Sequence, residues 1–353
     1  MLQAWCIPPP NIKYIADIFT IIAVPLFFVL SGILSMHKTT ATKEYITKKT
    51  KSLLIPYFLL SILFSILDPY IFNSTYLINE LHYPRLTLPE SWSIDINIQA
   101  SIEWFIGDLC CTLLGISSRA TLPLWFVFVL YFVSIIYQVT SHLFRSKKVM
   151  TFLAFCAFSL AMTLDSLNIG GYLKIGPILM AFVYYWFGTI VSSRLHIIKK
   201  KNSGTLIFLS IPLIVLYMIT SPRLLTIVGF VNGNFAYEQL FSYLLISILG
   251  LCGLVFLFSG ISKIQFMGLK AIKGILRNIS RNSLIILATH YYFLCVFSLY
   301  VKLYIPQEWH FMSAIIFVIM GCVASIVLFR TQLYMLIGGK KAKQTITTCL
   351  SIK

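Results

Sequence analysis

Acidic residues are scarce in this chain. Its 353 residues hold 11 Asp and Glu against 28 Lys and Arg, and charged residues of both signs make up only 11%. A soluble domain carries about a quarter, so a water-soluble globular fold is excluded. Metal and redox spacings are also missing. The eight cysteines form no CxxC and no Cys/His cluster at zinc spacing, so no metal site is expected. GxSxG, HExxH and a phosphate-binding glycine loop are absent, which excludes the hydrolase, zincin and P-loop routes. No repeat of span length is visible, and no nucleic-acid motif accompanies the net charge of +17.

What is present is apolar. Hydrophobic residues make up 58% of the chain, and mean hydropathy is +0.87. A bilayer core needs about 20 apolar residues per helix, and in lipid the backbone must satisfy its own hydrogen bonds. The expectation is an all-α, polytopic transmembrane helix bundle forming one domain over 1–353. It has about nine spans, near 15–35, 52–71, 122–141, 149–167, 175–191, 204–220, 238–259, 283–304 and 311–329.

The gaps between spans alternate in charge. Segments 36–51, 142–148, 192–203, 260–282 and 330–353 hold 22 of the 28 Lys and Arg residues, and of the eleven acids only Glu44. By the positive-inside rule these segments are cytoplasmic. The amino terminus is then outside and the carboxyl terminus inside. Residues 1–14 are too short and proline-broken for a signal peptide. The longest outside segment, 72–121, carries Glu80, Glu90, Trp92, Asp95, Glu103, Trp104 and Asp108. Within it, 98–116 reads as an amphipathic helix at the outer interface. Such a loop either covers a substrate or simply packs there. Cys6, Cys110 and Cys111 fall on this side, where a disulfide is chemically allowed.

Val24 to Tyr57 is the most informative stretch. An apolar run broken at Pro25 ends near Ser31-Gly32. A polar loop with Lys38, Lys43, Lys48, Lys49 and Lys51 follows, and then a second apolar run with Pro56. A helix would bring Lys48 and Lys51 side by side, where they either clamp phosphates or set topology and attract anionic lipid. Ser31 and Gly32 suit the lining of a tunnel, or close helix packing through small residues. Trp125 is either a pocket wall or part of the outer aromatic belt.

His290 comes nine residues after Arg281, so it lies ~13 Å along its helix, near mid-membrane. Ionisable groups at that depth tend to be functional. It suits a general base or a proton relay, and its alternative is a neutral histidine bonded to a neighbour. Ser283 lies two turns earlier on the same face. Asp17, Asp68 and Asp165 fall near outer span ends, and the other histidines lie in or near loops.

Five segments together resemble the integral-membrane acyltransferase type 3 family, which includes sugar and polysaccharide O-acetylases. VPLFFVLSG followed by KKTKSLLIPYF is similar to its second and third helices. PLWFVFVLYFVSIIY is similar to its Leu-Trp-Phe helix, FVYYWFGTIVSS to its aromatic helix, and ISRNSLIILATHYYF to a late helix with Asn-Ser and His. The likeness covers about 15–330. It implies transfer of an acyl group, often acetyl, from cytoplasmic acyl-CoA to a hydroxyl of a surface glycan or lipid-linked sugar. The donor is a co-substrate, and no bound cofactor is implied.

By the same resemblance Lys48 and Lys51 stand where the family has an Arg-x-x-Arg pair near the CoA phosphates, and Ser31-Gly32 match its Ser-Gly. The site expected is then catalytic His290, acyl-CoA-binding Lys48 and Lys51, and a pocket of Ser31, Gly32, Trp125 and Ser283. The setting implied is a bacterial plasma membrane.

The family's leading helix, with an Arg and a catalytic His, has no counterpart here. This raises the expectation of a truncated, mis-started or inactive chain. Two other readings stand beside the enzyme: a transporter or flippase for a small metabolite or lipid-linked sugar, and a non-catalytic partner in glycan synthesis.

Overall fold

The structure is a computed structural model. It describes residues 10–35, 42–71, 96–115, 124–167, 172–221, 237–264 and 267–333. Every regular element among them is helical. In chain order these are α1 (Pro10–Ser35), α2 (Thr42–Lys49), α3 (Ile55–Ile71), α4 (Ile96–Leu113), α5 (Trp125–Leu143), α6 (Lys147–Ser166), α7 (Ile175–Lys200), α8 (Ser203–Thr220), α9 (Tyr237–Ile261), α10 (Met267–Arg281), α11 (Ser283–Val296) and α12 (His310–Thr331).

Eight stretches among the described residues are long and apolar enough to cross a membrane: Thr42–Leu67, Trp125–Leu143, Lys147–Ser166, Ile175–Ile198, Ser203–Thr220, Leu240–Ile261, Ser283–Tyr304 and Gln307–Thr331. Ile21–Ser35 of α1 is a shorter apolar stretch. The protein is a polytopic helical membrane bundle, and these stretches follow the expected spans closely.

Two details differ from the expected pattern. Lys43, Lys48 and Lys49 belong to a helix, α2, where a polar loop is expected. A π turn, Thr50–Leu54, joins α2 to α3. The helix holds because Tyr45 is buried on one side of it, which ties the polar segment to the core. The polar gap 260–282 likewise contains a helix, α10, with sharply segregated faces. The helix expected at 98–116 is α4. It ends where Gly115 takes a left-handed backbone (φ 65°), and the amides of Leu114 and Gly115 bond back to Cys110 and Thr112 carbonyls.

The chain forms two compact units. One comprises Pro8–Lys49 and Trp125–Ile275, the other Met1–Ile7, Thr50–Leu124 and Leu276–Lys353. In the first, α7 is the central helix, packed by α1, α5 and α6, while α8 pairs with α9. Met180 through Tyr185 of α7 are buried in unbroken succession, as befits a helix wrapped on all sides.

The α1–α7 crossing is close because both helices offer glycine. A Cβ at Gly32 would stand 2.1 Å from the Tyr185 carbonyl oxygen, and one at Gly188 2.2 Å from that of Val29. The Ser192 hydroxyl also donates to the Ile33 carbonyl (3.1 Å). Further along α1, the Tyr243 hydroxyl of α9 donates to the Ile21 carbonyl (2.9 Å), and Tyr184 and Ser247 share a hydrogen bond of 2.7 Å. In the second unit α3 packs on α4 and α11 on α12. The Phe64 and Tyr292 rings stack at 4.3 Å.

Candidate functional site

Ser31, Gly32, Lys48 and Trp125 belong to the first unit, and Lys51, Ser283 and His290 to the second. The first group gathers around a tyrosine platform. The Tyr45 hydroxyl of α2 meets the Tyr185 hydroxyl of α7 at 3.3 Å. The Tyr185 ring lies 5.0 Å from that of Tyr137 on α5, and the Tyr137 hydroxyl bonds with Thr189 at 2.8 Å.

Gly32 abuts the backbone of Tyr185, and Ser31 is half-buried beside it. The lysine-bearing α2 therefore stands on the same side-chain cluster that Ser31-Gly32 borders. Lys49 lies over the Tyr45 ring, 5.6 Å from its centroid, a favourable placement for a cation. Lys48 is exposed, as is Lys51 just past the start of the π turn.

Trp125, the first residue of α5, is 6% exposed. It carries the buried ammonium of Lys174, 5.9 Å from its ring centroid. Lys174 is 3% exposed, and burial pushes its pKa down to about 8. Leu173 and Lys174 both adopt left-handed backbone (φ 50° and 55°), costly for residues with a side chain. In the sequence Lys174 is only one of the six Lys and Arg residues (28 less 22) outside the lysine-rich segments.

In the second unit His290 is half-buried on α11, with Nδ1 2.9 Å from the Ile286 carbonyl. A carbonyl only accepts, so Nδ1 donates to it and Nε2 is the ring nitrogen left for another partner. On the same helix Thr289 donates to the Ile285 carbonyl, and Ser283 is exposed. Asn282, just before α11, accepts a hydrogen bond from Arg330 Nε of α12 (2.8 Å).

A buried polar strip lines the α3–α4 contact. The Tyr57 hydroxyl donates to the Thr112 carbonyl (3.1 Å). The Ser65 hydroxyl bonds the Asp108 carboxylate and the Ser61 carbonyl. Asp108 is 4% exposed. Burial first, then the Asp108 carboxylate and Cys110, push the Cys111 thiol up to about 11. Cys110 and Cys111 are free thiols.

Sequence reasoning did not single out Tyr45, Tyr137, Tyr185 or Thr189, although the aromatic run of α7 was visible. It put Asp108 on the helix expected at 98–116, without the serine that it meets. No local pattern signals pairs 43 to 140 residues apart. Cys6, Glu80, Glu90, Trp92 and Asp95 lie outside the described residues, as do the side chains of Asp17, Asp68, Glu103 and Trp104.

A family model described as an acyltransferase domain matches residues 5–330. The chain belongs to the acyltransferase type 3 family. No curated protein and no solved structure matches it. Family membership makes this a membrane acyltransferase in general terms, and the roles of individual side chains rest on the geometry above.

Proposed function

We propose that this family member is an O-acyltransferase. It takes an acyl group, acetyl being the simplest, from acyl-CoA on its lysine-rich side. It delivers that group to a hydroxyl of a surface glycan or lipid-linked sugar on the other side of a bacterial plasma membrane. The observation that carries the reading is the lysine-bearing α2, anchored by Tyr45 on the tyrosine platform that borders Ser31-Gly32, in a chain of the acyltransferase family.

In this reading Lys48 and Lys51 attract the phosphates of the CoA moiety as point charges, without the bidentate grip of arginine. Ser31 and Gly32 border the path of the thin pantetheine arm, with Trp125 as a further pocket residue of the same unit. The acceptor hydroxyl attacks the thioester carbonyl, and the carbon–sulfur bond breaks as the new ester bond forms. His290 Nε2 takes the hydroxyl proton and passes it to the departing CoA thiolate, so protons balance over the cycle. The Ile286 carbonyl occupies Nδ1, which leaves Nε2 as the ring nitrogen open to the acceptor hydroxyl.

The test is transfer of labelled acetyl from acetyl-CoA to envelope glycan in cells producing the protein. Label should fall to background in cells deleted for the gene and in cells producing only His290→Ala. Transfer unchanged by the deletion would overturn the reading. Transfer lost on deletion but restored by His290→Ala would leave the protein as a non-catalytic partner.

A further inference from the structure

The helix α10, between α9 and α11, differs from every span around it. The spans are apolar on all sides, whereas α10 separates its faces. At 100° per residue, Lys273, Arg277 and Arg281 fall on one stripe, and Ile275, Leu276 and Ile279 fall on the opposite one. The sequence repeats both phases one turn earlier with Lys270 and Ile272. No acid occurs anywhere in the helix.

The apolar stripe is open: Ile275 is 61% exposed, Leu276 54% and Ile279 49%. Lys273, Arg277 and Arg281 are exposed as well, with Lys273 Nζ reaching the Ser262 carbonyl (3.1 Å). The carboxyl end is fixed. Asn282 bonds the Asn278 carbonyl (2.8 Å) and receives Arg330 Nε of α12 (2.8 Å). The helix is therefore tethered, by membrane-spanning segments on both sides of it in sequence, to the level where the bilayer meets water.

We propose that α10 is a lipid-binding helix lying in the bilayer interface. Its isoleucine and leucine stripe enters the acyl-chain boundary, and its lysine and arginine stripe takes the phosphates of anionic headgroups. Charge complementarity selects this occupant. The segments on the lysine-rich side hold one acid, Glu44, among 22 cations, so the protein itself offers that stripe almost no carboxylate. A continuous apolar stripe beside a cationic one is the pattern that an anionic leaflet satisfies on both faces at once. The proposal does not depend on the acyltransferase reading.

Amide hydrogen exchange on the full chain tests it, in vesicles of zwitterionic lipid alone and in vesicles containing anionic phosphatidylglycerol. Each surface cation is worth about five-fold in binding to an anionic leaflet. Amides of Ile275–Arg281 should therefore exchange at least ~10-fold more slowly in the anionic vesicles. High salt should remove that difference in the wild type, and so should the combined Lys273→Gln, Arg277→Gln and Arg281→Gln variant. The salt titration alone decides if the variant does not fold. Equal exchange in both vesicles overturns the proposal. So does protection that grows with protein concentration in lipid-free detergent, which would mean a second copy covers the stripe. Protection that needs added acyl-CoA in zwitterionic vesicles overturns it too, because the cations would then serve the nucleotide phosphates.

Discussion

Among the helix pairs that meet through glycine, two differ in what the glycine faces. On α1 and α7, Gly32 and Gly188 each look straight at a backbone carbonyl, 2.1 and 2.2 Å from where a Cβ would sit. On α12, Gly321 looks at the ring of Phe293 on α11, 2.4 Å from the same imagined atom. The gaps are similar and the consequences are not. A helix backbone cannot move aside without moving the helix, whereas a phenylalanine can turn or shift. The α1–α7 seam is therefore rigid and carries the tyrosine platform. The α11–α12 seam is adjustable, and its helix α11 bears His290.

The largest effect should come from setting one substitution against the other. Gly32→Ala should cost about 3 kcal/mol or more, since overpacking against backbone has no cheap relief. Gly321→Ala should cost about 1 kcal/mol, the scale of forcing a ring off its preferred rotamer. Melting of the purified protein in detergent measures both. Equal losses would remove the distinction between the seams.

Lys174 offers the opposite sign. Its ordinary pKa of 10.5 falls to about 8 in the fold. Between those values the unfolded chain binds more protons than the folded one, so stability rises with pH across that window. Below about pH 8 the full cost of burying the charge is present. The lost pKa corresponds to roughly 3 kcal/mol, of which the Trp125 ring and the lysine's other contacts return a part. Lys174→Met should therefore stabilise the protein at pH 7, by about 1–3 kcal/mol, with the gain gone near pH 10.5. Paired melts of wild type and variant across pH 7 to 10.5 check this. A gain that does not change with pH would mean that titration of Lys174 is not the cause.

The legible part of the molecule was the part written in consecutive residues. The spans around Trp125–Leu143 and Ser203–Thr220 follow from apolar runs of bilayer length. The helical state of α4 follows from amphipathic spacing. The helical state of Lys43 to Lys49 does not. Their composition is that of a loop, and the helix depends on Tyr45 finding Tyr185, 140 residues away. Gly32 suits tunnel lining or, more commonly, close packing, because a glycine shows its purpose only through what lies opposite. The buried Asp108 was likewise hidden, since its partner Ser65 stands on another helix. Nothing in the residues around Lys174 signals that it is buried in the fold.

The adjustable seam makes a substitution at His290 interpretable. Among the described residues its ring bonds only its own helix, at the Ile286 carbonyl, so His290→Ala should leave the melting temperature nearly unchanged. Acyl transfer should fall by about 100-fold if Nε2 is the base. A variant that melts normally and transfers normally would clear the histidine of any role in the chemistry.

The smallest effect lies at the rigid seam's edge. Tyr45→Phe removes one hydrogen bond to Tyr185 of 3.3 Å but keeps the ring beneath Lys49. The cost in stability should be about 0.5–1 kcal/mol. If α2 holds its lysines toward CoA phosphates, a looser α2 should raise KM for acyl-CoA two- to three-fold, the same energy expressed in binding, with kcat unaltered. Added salt should narrow that difference, because point-charge attraction is screened. A change in kcat with KM constant would instead tie the tyrosine platform to the reacting centre, and the rigid seam would then serve the chemistry rather than the donor.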